Sequence, residues 1–469
     1  MTIDTSEVGS PGWWLKRLME RLGNDQRRLT LLNDYYRGEP PLPWGPENCR
    51  ETFRRMQRKA RANFAQLIAD APVERMQPVG FRTGAAGDLN GDDQAWRMWQ
   101  ANNLDAEAPL LFSAKSSMSR AYTIVGGPDP STGFPLITCE DPRQVITEQH
   151  PANRRRTIAA LKVWADDVAQ ADRAKLFLPG IVFTARRTRS DITGSPVSFD
   201  ASGWEWENDG ERLPAFAADI VPVTLFPNRP DLSGATLGEF EDVIDSLDRI
   251  NLMLLQRLTV GIMQAFRQRA VKGNLPERDA EGNEIDYGEV FVADPGAIWE
   301  LPADVDIWES AGVDLTPLLE SVKADVRDVA GITRTPMFYL FPDAANGSAE
   351  GASLHREGLI FKTSAHIVQA SDPLEQTMAL GFLFMGDTER AKRPDMEVLW
   401  QAPERVSMAE RYDAASKAQA SEVPWETRMR DVLGFTPQQI KQMQAERIGE
   451  QFLARTQQNQ ETAGVSAGG

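Results

Sequence analysis

The sequence predicts an α+β fold, mainly helical and divided into several parts. Three observations carry that prediction. The chain holds 469 residues, 41% of them hydrophobic, more than one core absorbs, since single cores stop growing at about 250–300 residues. Helix and strand signals mix through the first 230 residues, as in an α+β region. From residue 237 onward, long apolar stripes recur every three or four positions, the period of a helix with one buried face.

Trp14, Leu15, Leu18, Met19 and Leu22 predict a first helix that Gly23 stops, and a second runs from Asp25 to Tyr36. The Pro-rich residues 39–46 form a loop. Residues 50–71 read as one helix carrying Arg50, Arg54, Arg55, Arg58, Lys59 and Arg61, a basic run that reads as a solvated face or the mate of an acidic neighbour rather than a DNA contact. Residues 92–103 place Ala95, Trp96 and Trp99 on one helix face. Residues 121–125 and 135–138 make a hairpin across a Gly/Pro turn, with further strands at 157–164, 175–184 and 203–206.

Phe240, Ile244, Leu247, Leu254 and Leu258 belong to a stripe over residues 237–269, a rod of roughly 45 Å with Asp245 and Arg249 as an i,i+4 pair on its exposed side. A small insert follows, with strand candidates at 289–292 and 297–301. A second helix, 315–329, starts at the N-cap Asp314 with Pro317 in its first turn and stops at Gly331. Residues 341–351 are small and polar and read as a mobile loop. A long helix resumes near 352, broken at Pro373. A strand at 397–400, a helix at 407–419 and a helical pair at 427–434 and 436–455, the second capped by Thr436, precede a compositionally disordered tail.

Charge and motifs exclude several functions. With 51 basic and 68 acidic residues the net charge is −17, which repels nucleic acid and disfavours a sequence reader. The same acidity suits a conduit past which DNA slides, because grip on phosphates comes from Lys and Arg. Cys49 and Cys139 lack metal or disulfide spacing. No signal peptide or membrane-length apolar run is read, so synthesis in a cytoplasm is expected. His150, His355 and His366 stand apart, without the spacing of a zinc helix. Ser348 sits one position early for a nucleophile elbow. No phosphate loop exists, and Asp88, Asn90, Asp92 and Asp93 form an Asp/Gly turn rather than a calcium loop. No enzyme, cofactor or metal is expected.

Several segments stand in a telling order: residues 32–38 (Leu-Asn-Asp-Tyr-Tyr-Arg-Gly), 63–70, 78–80, 92–104, 140–142, 223–230, Asp248 to Asn251, and residues 330–336 with the Gly/Ser loop after them. In that order they resemble the siphophage-type portal proteins of tailed phages, over roughly residues 25–455. The resemblance implies a subunit with an α/β wing (1–233 and 354–404), a two-helix stem (234–269 and 314–334), a β-containing clip (270–313), a tunnel loop (335–353) and a helical crown (405–455) before the tail (456–469). Crown and clip are short for the family, which leaves their contacts open.

It further implies a virion protein at the capsid's portal vertex, assembled in the host cytoplasm as a homo-oligomeric ring of about twelve, with no membrane. Partners would be the large terminase motor, head-completion or adaptor proteins, the major capsid and scaffolding proteins, and double-stranded DNA passing non-specifically. Asn346, Gly347, Ser348, Glu350 and Gly351 would face the DNA, and Phe291, Trp299, Glu300 and Trp308 would serve the clip. Phe240, Ile244, Leu247, Leu254 and Leu258 would pack the stem. Another head-assembly or adaptor protein is the alternative, and a cytosolic enzyme of unknown class the more distant one.

Overall fold

The computed structural model describes residues 3–45, 50–85, 91–189, 197–265, 269–273, 277–278, 282, 284, 306–309, 312–340, 349–404 and 406–466. The chain divides into two units: Met1–Pro41, Asn63–Leu247 and Asp328–Gly469 form the first, Leu42–Ala62 and Asp248–Arg327 the second.

In the first unit, helix α1 (Pro11–Tyr36) starts where the Ser10 hydroxyl accepts from the Trp13 amide at 3.2 Å and Pro11 takes the first position. Gly23 does not stop it, against the sequence expectation of two helices. A Cβ at Gly23 would lie 3.0 Å from the Phe199 Cβ, so close packing uses the bare glycine. Its interior cost, about 1 kcal/mol, is small beside the burial of Leu15, Leu18, Met19, Leu22 and Leu29, each worth about 1.5–3 kcal/mol.

The expected helix over 50–71 is two: α2 (Glu51–Lys59), in the second unit, and α3 (Phe64–Val73), whose N-cap Asn63 accepts from the Gln66 amide. Strand β1 (Pro78–Arg82) follows, then α4 (Asp93–Ala101), whose Ala95 and Trp99 are buried as the spacing requires. Helix α5 (Leu104–Met118) is absent from the sequence reading, because its apolar residues fall nearly all round rather than in one stripe. The hairpin of β2 (Arg120–Pro128) and β3 (Pro135–Glu140) forms as expected.

A larger antiparallel sheet orders β4 (Val145–His150), β5 (Asn153–Asp166), β6 (Ala171–Leu178), β7 (Ile181–Thr188) and β8 (Glu205–Trp206), with β9 (Glu211–Arg212) also pairing β7. Residues 175–184 are therefore two strands and a turn. Gly180, at φ +71°, makes that turn, and a Cβ there would meet the Ala218 carbonyl. The α1 stripe packs on Ile146, Leu161, Val163 and Leu176 of this sheet and on Trp204 just ahead of β8. Strand β10 (Val223–Pro227) joins β2, completing a three-stranded sheet.

In the second unit a 22-residue helix, α6 (Ile244–Ala265), starts later than expected, after a 3-10 turn, and enters the unit at Asp248. Arg269 belongs not to the helix but to strand β11 (Arg269–Lys272), which pairs antiparallel with β12 (Asp306–Glu309) in the register Arg269↔Glu309 and Lys272↔Asp306. Helix α7 (Thr316–Thr333) begins where Asp314 accepts from the Thr316 amide at 2.9 Å. It runs through Gly331 instead of ending there. Arg249 bridges to Asp325 at 3.0 Å rather than serving Asp245, and the Gln264 side chain donates to the Val313 carbonyl at 2.7 Å. The two helices are thus antiparallel neighbours bracketing a pinched-off insert. The strand candidates at 289–292 and 297–301 lie outside the described residues.

Back in the first unit, a single turn α8 (Met337–Leu340) is followed by α9 (Ala349–Phe384), which passes through Pro373 without a break. Proline there forfeits one backbone bond at about 3 kcal/mol. The burial of Ala370, Leu374, Met378 and Phe382 in the main core outweighs it. Strand β13 (Glu397–Trp400) pairs with β1. Ser407 and Glu410 form a capping box on α10 (Met408–Ala420). Residues 427–434 hold a π turn, Arg428–Val432, in place of an α-helix. The last helix, α11 (Pro437–Ser466), capped by Thr436, continues over the stretch whose composition predicts a disordered tail.

Candidate functional site

Four elements of the first unit converge on a buried cluster of charge. Lys115 comes from the end of α5, Asn228 from the residue after β10, Glu239 from the approach to α6, and Lys362 and His366 from successive turns of α9. Thr333, at the end of α7, joins them. All six are buried. Lys362 Nζ lies 2.7 Å from Glu239 Oε2 and donates to the Thr333 carbonyl at 3.0 Å. His366 Nε2 is 3.0 Å from Glu239 Oε1, and its Nδ1 is 3.3 Å from Lys115 Nζ. Lys115 also donates to Asn228 Oδ1 at 3.2 Å, while Asn228 Nδ2 donates to Glu239 Oε1 at 3.1 Å.

These contacts fix the proton positions. An ammonium offers only protons, so His366 Nδ1 accepts from Lys115 and Nε2–H donates to Glu239, which makes the imidazole neutral. Burial lowers the His366 pKa; the bond to Glu239 opposes that shift and the Lys115 charge reinforces it. Burial pulls Lys115 down to about 8, against the attraction of Glu239. Burial alone would raise the Glu239 carboxyl, but the His366 hydrogen bond and the Lys362 ammonium outweigh it and hold Glu239 well below its ordinary range. Every charge has a partner, so the cluster ties elements together and offers no free nucleophile or base. A cavity of about 200 Å³ opens beside it, flanked by Arg229 and Arg334. Both arginines sit in the left-handed region, at φ +44° and +53°.

The segments that carried the resemblance meet as junctions. The Tyr36 hydroxyl donates to Asp70 at 3.0 Å, Ser113 donates to the same carboxylate at 3.2 Å, and Asn63 Nδ2 donates to the Tyr36 carbonyl at 3.2 Å. Asn251 is buried and accepts from the Ala62 amide at 2.9 Å. The hydroxyls of Thr333 and Thr335 lie 2.9 Å apart.

Of the residues singled out by sequence, Phe240 and Leu247 are buried and Ile244, Leu254 and Leu258 half-buried. Asn346, Gly347, Ser348, Phe291, Trp299, Glu300, Asp88, Asn90 and Cys49 lie outside the described residues. Glu350 and Gly351 stand in the first turn of α9, not in a loop, because the helix begins at Ala349. Trp308 stands in β12 opposite Ala270. Cys139 is free, and burial together with nearby Glu107 and Glu140 pushes its thiol up to about 12. His150 accepts from the Ala152 amide. Among the described residues no group of three or more His, Cys, Asp or Glu is disposed to hold a metal, and no helix is long and apolar enough to cross a membrane.

The sequence profile for phage portal protein, SPP1 Gp6-like, matches residues 15–451. The chain belongs to that portal family. It is similar to the portal protein of Mycobacterium phage L5, 27% identical over 436 residues, covering 88% of this chain and 82% of that one. The portal protein of Mycobacterium phage D29 is 28% identical over 378 residues, covering 76% and 72%. Among solved structures, a chain of the neck of a native gene transfer agent particle computed with C12 symmetry is 12% identical, with a TM-score of 0.46 over 87% of this chain and 99% of that chain. This portal protein is a structural component of the phage virion, not an enzyme.

Proposed function

We propose that copies of this portal protein close into a ring of about twelve, with the α6–α7 hairpin as its stem and double-stranded DNA entering and leaving through its bore. The observation that carries the reading is the hairpin itself, two antiparallel helices tied by Arg249–Asp325 and Gln264–Val313 around an insert that β11 and β12 pinch at its neck. On this reading residues 270–313, with Phe291, Trp299, Glu300 and Trp308, form the clip that meets the terminase motor and later the head-completion proteins. Residues 405–455 form the crown, and the remaining α/β parts the wing that the capsid and scaffold surround.

A charge of −17 per copy, repeated around a ring, gives the bore a negative potential that keeps DNA from adhering while it moves. Asn346, Gly347 and Ser348, just ahead of α9, and Glu350 and Gly351 in its first turn narrow the passage. Native mass spectrometry with negative-stain imaging tests the reading: a closed ring with a central hole is expected, and a dimer or tetramer without one refutes it. Replacing Gly347 and Gly351 with leucine should impair DNA packaging or retention while rings still assemble. Unchanged packaging would remove these positions from the mechanism.

A further inference from the structure

Residues 50–61 set six cations against the single acid Glu51, in a chain whose net charge is −17. Helix α2 is amphipathic. Gln57 and Ala60 are buried, Gln57 donating to the Pro43 carbonyl at 2.7 Å, whereas Arg50, Arg54, Arg55, Arg58 and Lys59 are exposed. Glu51 reaches Arg58 at 2.6 Å and Arg55 only at 4.0 Å. Among the described residues no acid lies within ion-pair distance of Arg50, Arg54 or Lys59. This is strong charge without a local answer, and five of the six cations are arginine, whose planar fork suits carboxylate pairing across an interface.

One bond sets the level of α2 along the stem. Ala62, three residues past α2, donates its amide to the buried Asn251 of α6. One turn and two turns earlier on the same helix stand Asp248 and Asp245, both exposed. Asp245 has no cation within ion-pair distance among the described residues. A rotation about an axis along the stem carries every residue to the next copy at unchanged height, so the end of α2 that Ala62 ties to Asn251 recurs within about two helical turns of these carboxylates of its neighbour.

We infer that the basic face of α2 is a subunit seam, docking head-to-tail on the acidic first turns of a neighbouring copy's α6 around Asp245 and Asp248; this rests on the ring reading above. The alternative polyanion is DNA. The net field of many copies at −17 each opposes the approach of a duplex, whereas the same acidity attracts an arginine face. A head-to-tail contact of unlike patches is also the kind that builds a ring when its rotation closes.

The test uses the full chain at about 0.15 M salt, with native mass spectrometry and negative stain as readouts. Arg54→Glu with Arg58→Glu should raise the protein concentration for half assembly by about ten-fold or more, while circular dichroism and the thermal melt of the monomer stay as in the wild type. Asp245→Arg with Asp248→Arg should do the same, and the four changes combined should restore rings. Rings formed by the Arg54/Arg58 variant at wild-type concentration would overturn the seam while leaving the ring reading intact. Failure of the combined variant to recover would overturn the assignment to Asp245 and Asp248. Duplex DNA binding that disappears with the Arg54/Arg58 change while assembly persists would make α2 a DNA contact and sink the inference. A wild type without rings would bring down the ring reading and the seam together.

Discussion

The cluster around Glu239 and the basic face of α2 use the same side-chain chemistry in opposite surroundings. In the first, Lys115, Lys362 and His366 are buried and each touches an acceptor within 3.3 Å. In the second, Arg50, Arg54 and Lys59 are exposed without a carboxylate in reach among the described residues. The difference teaches where each charge does its work. A buried charge is felt by the fold, because removing its partner strands it in a medium that solvates it poorly. An exposed one costs the fold almost nothing and is felt when another surface arrives.

Substitutions should separate the two regions sharply. Glu239→Ala strands Lys362 and His366 together and should destabilise the first unit by about 3–5 kcal/mol, read as a lowered urea midpoint. Lys362→Met removes one cation and leaves Glu239 its bonds to His366 and Asn228, so a loss of about 1–3 kcal/mol is expected.

Acid should act through the same cluster. The His366 pKa lies below its ordinary 6.5, so as pH falls through that value the unfolded chain takes up a proton that the native state refuses. The His366 contribution is full above pH 6.5 and declines beneath it. Glu239, also lowered from 4.5, adds a second decline once the unfolded carboxyl protonates. Urea midpoints measured from pH 7.5 to 3.5 should fall in these two stages, and His366→Gln should erase only the first. Smallest of all, Arg54→Glu with Arg58→Glu should move the stability of the monomer by no more than about 0.5 kcal/mol. A larger drop there would mean that the basic face is tied into its own subunit after all.

What could be read from the sequence was whatever is decided locally. The stripes of α1 and α6, the caps Asp314 and Thr436, the β2–β3 hairpin and β13 all depend on neighbours a few positions away. Gly23 and Pro373 misled because distant packing, on Phe199 and in the main core, overrides an intrinsic penalty of about 1–3 kcal/mol. Strands 175–184 merged in the reading because a two-residue turn interrupts the apolar run only briefly. The cluster was invisible for a different reason: Lys115 and His366 are 251 positions apart. Its one local trace is Lys362 and His366 a turn apart on a helix whose neighbouring Leu359, Thr363 and Ala370 are buried.

The pairing of Lys272 with Asp306 brings the chain back to where it left, so the two ends of the intervening stretch are held about 5 Å apart whatever lies between them. Length added or lost beyond that neck changes only a loop-closure entropy that grows slowly with size. The scaffold beneath does not register it. The insert can therefore change in length and sequence while the two helices that carry it stay as they are.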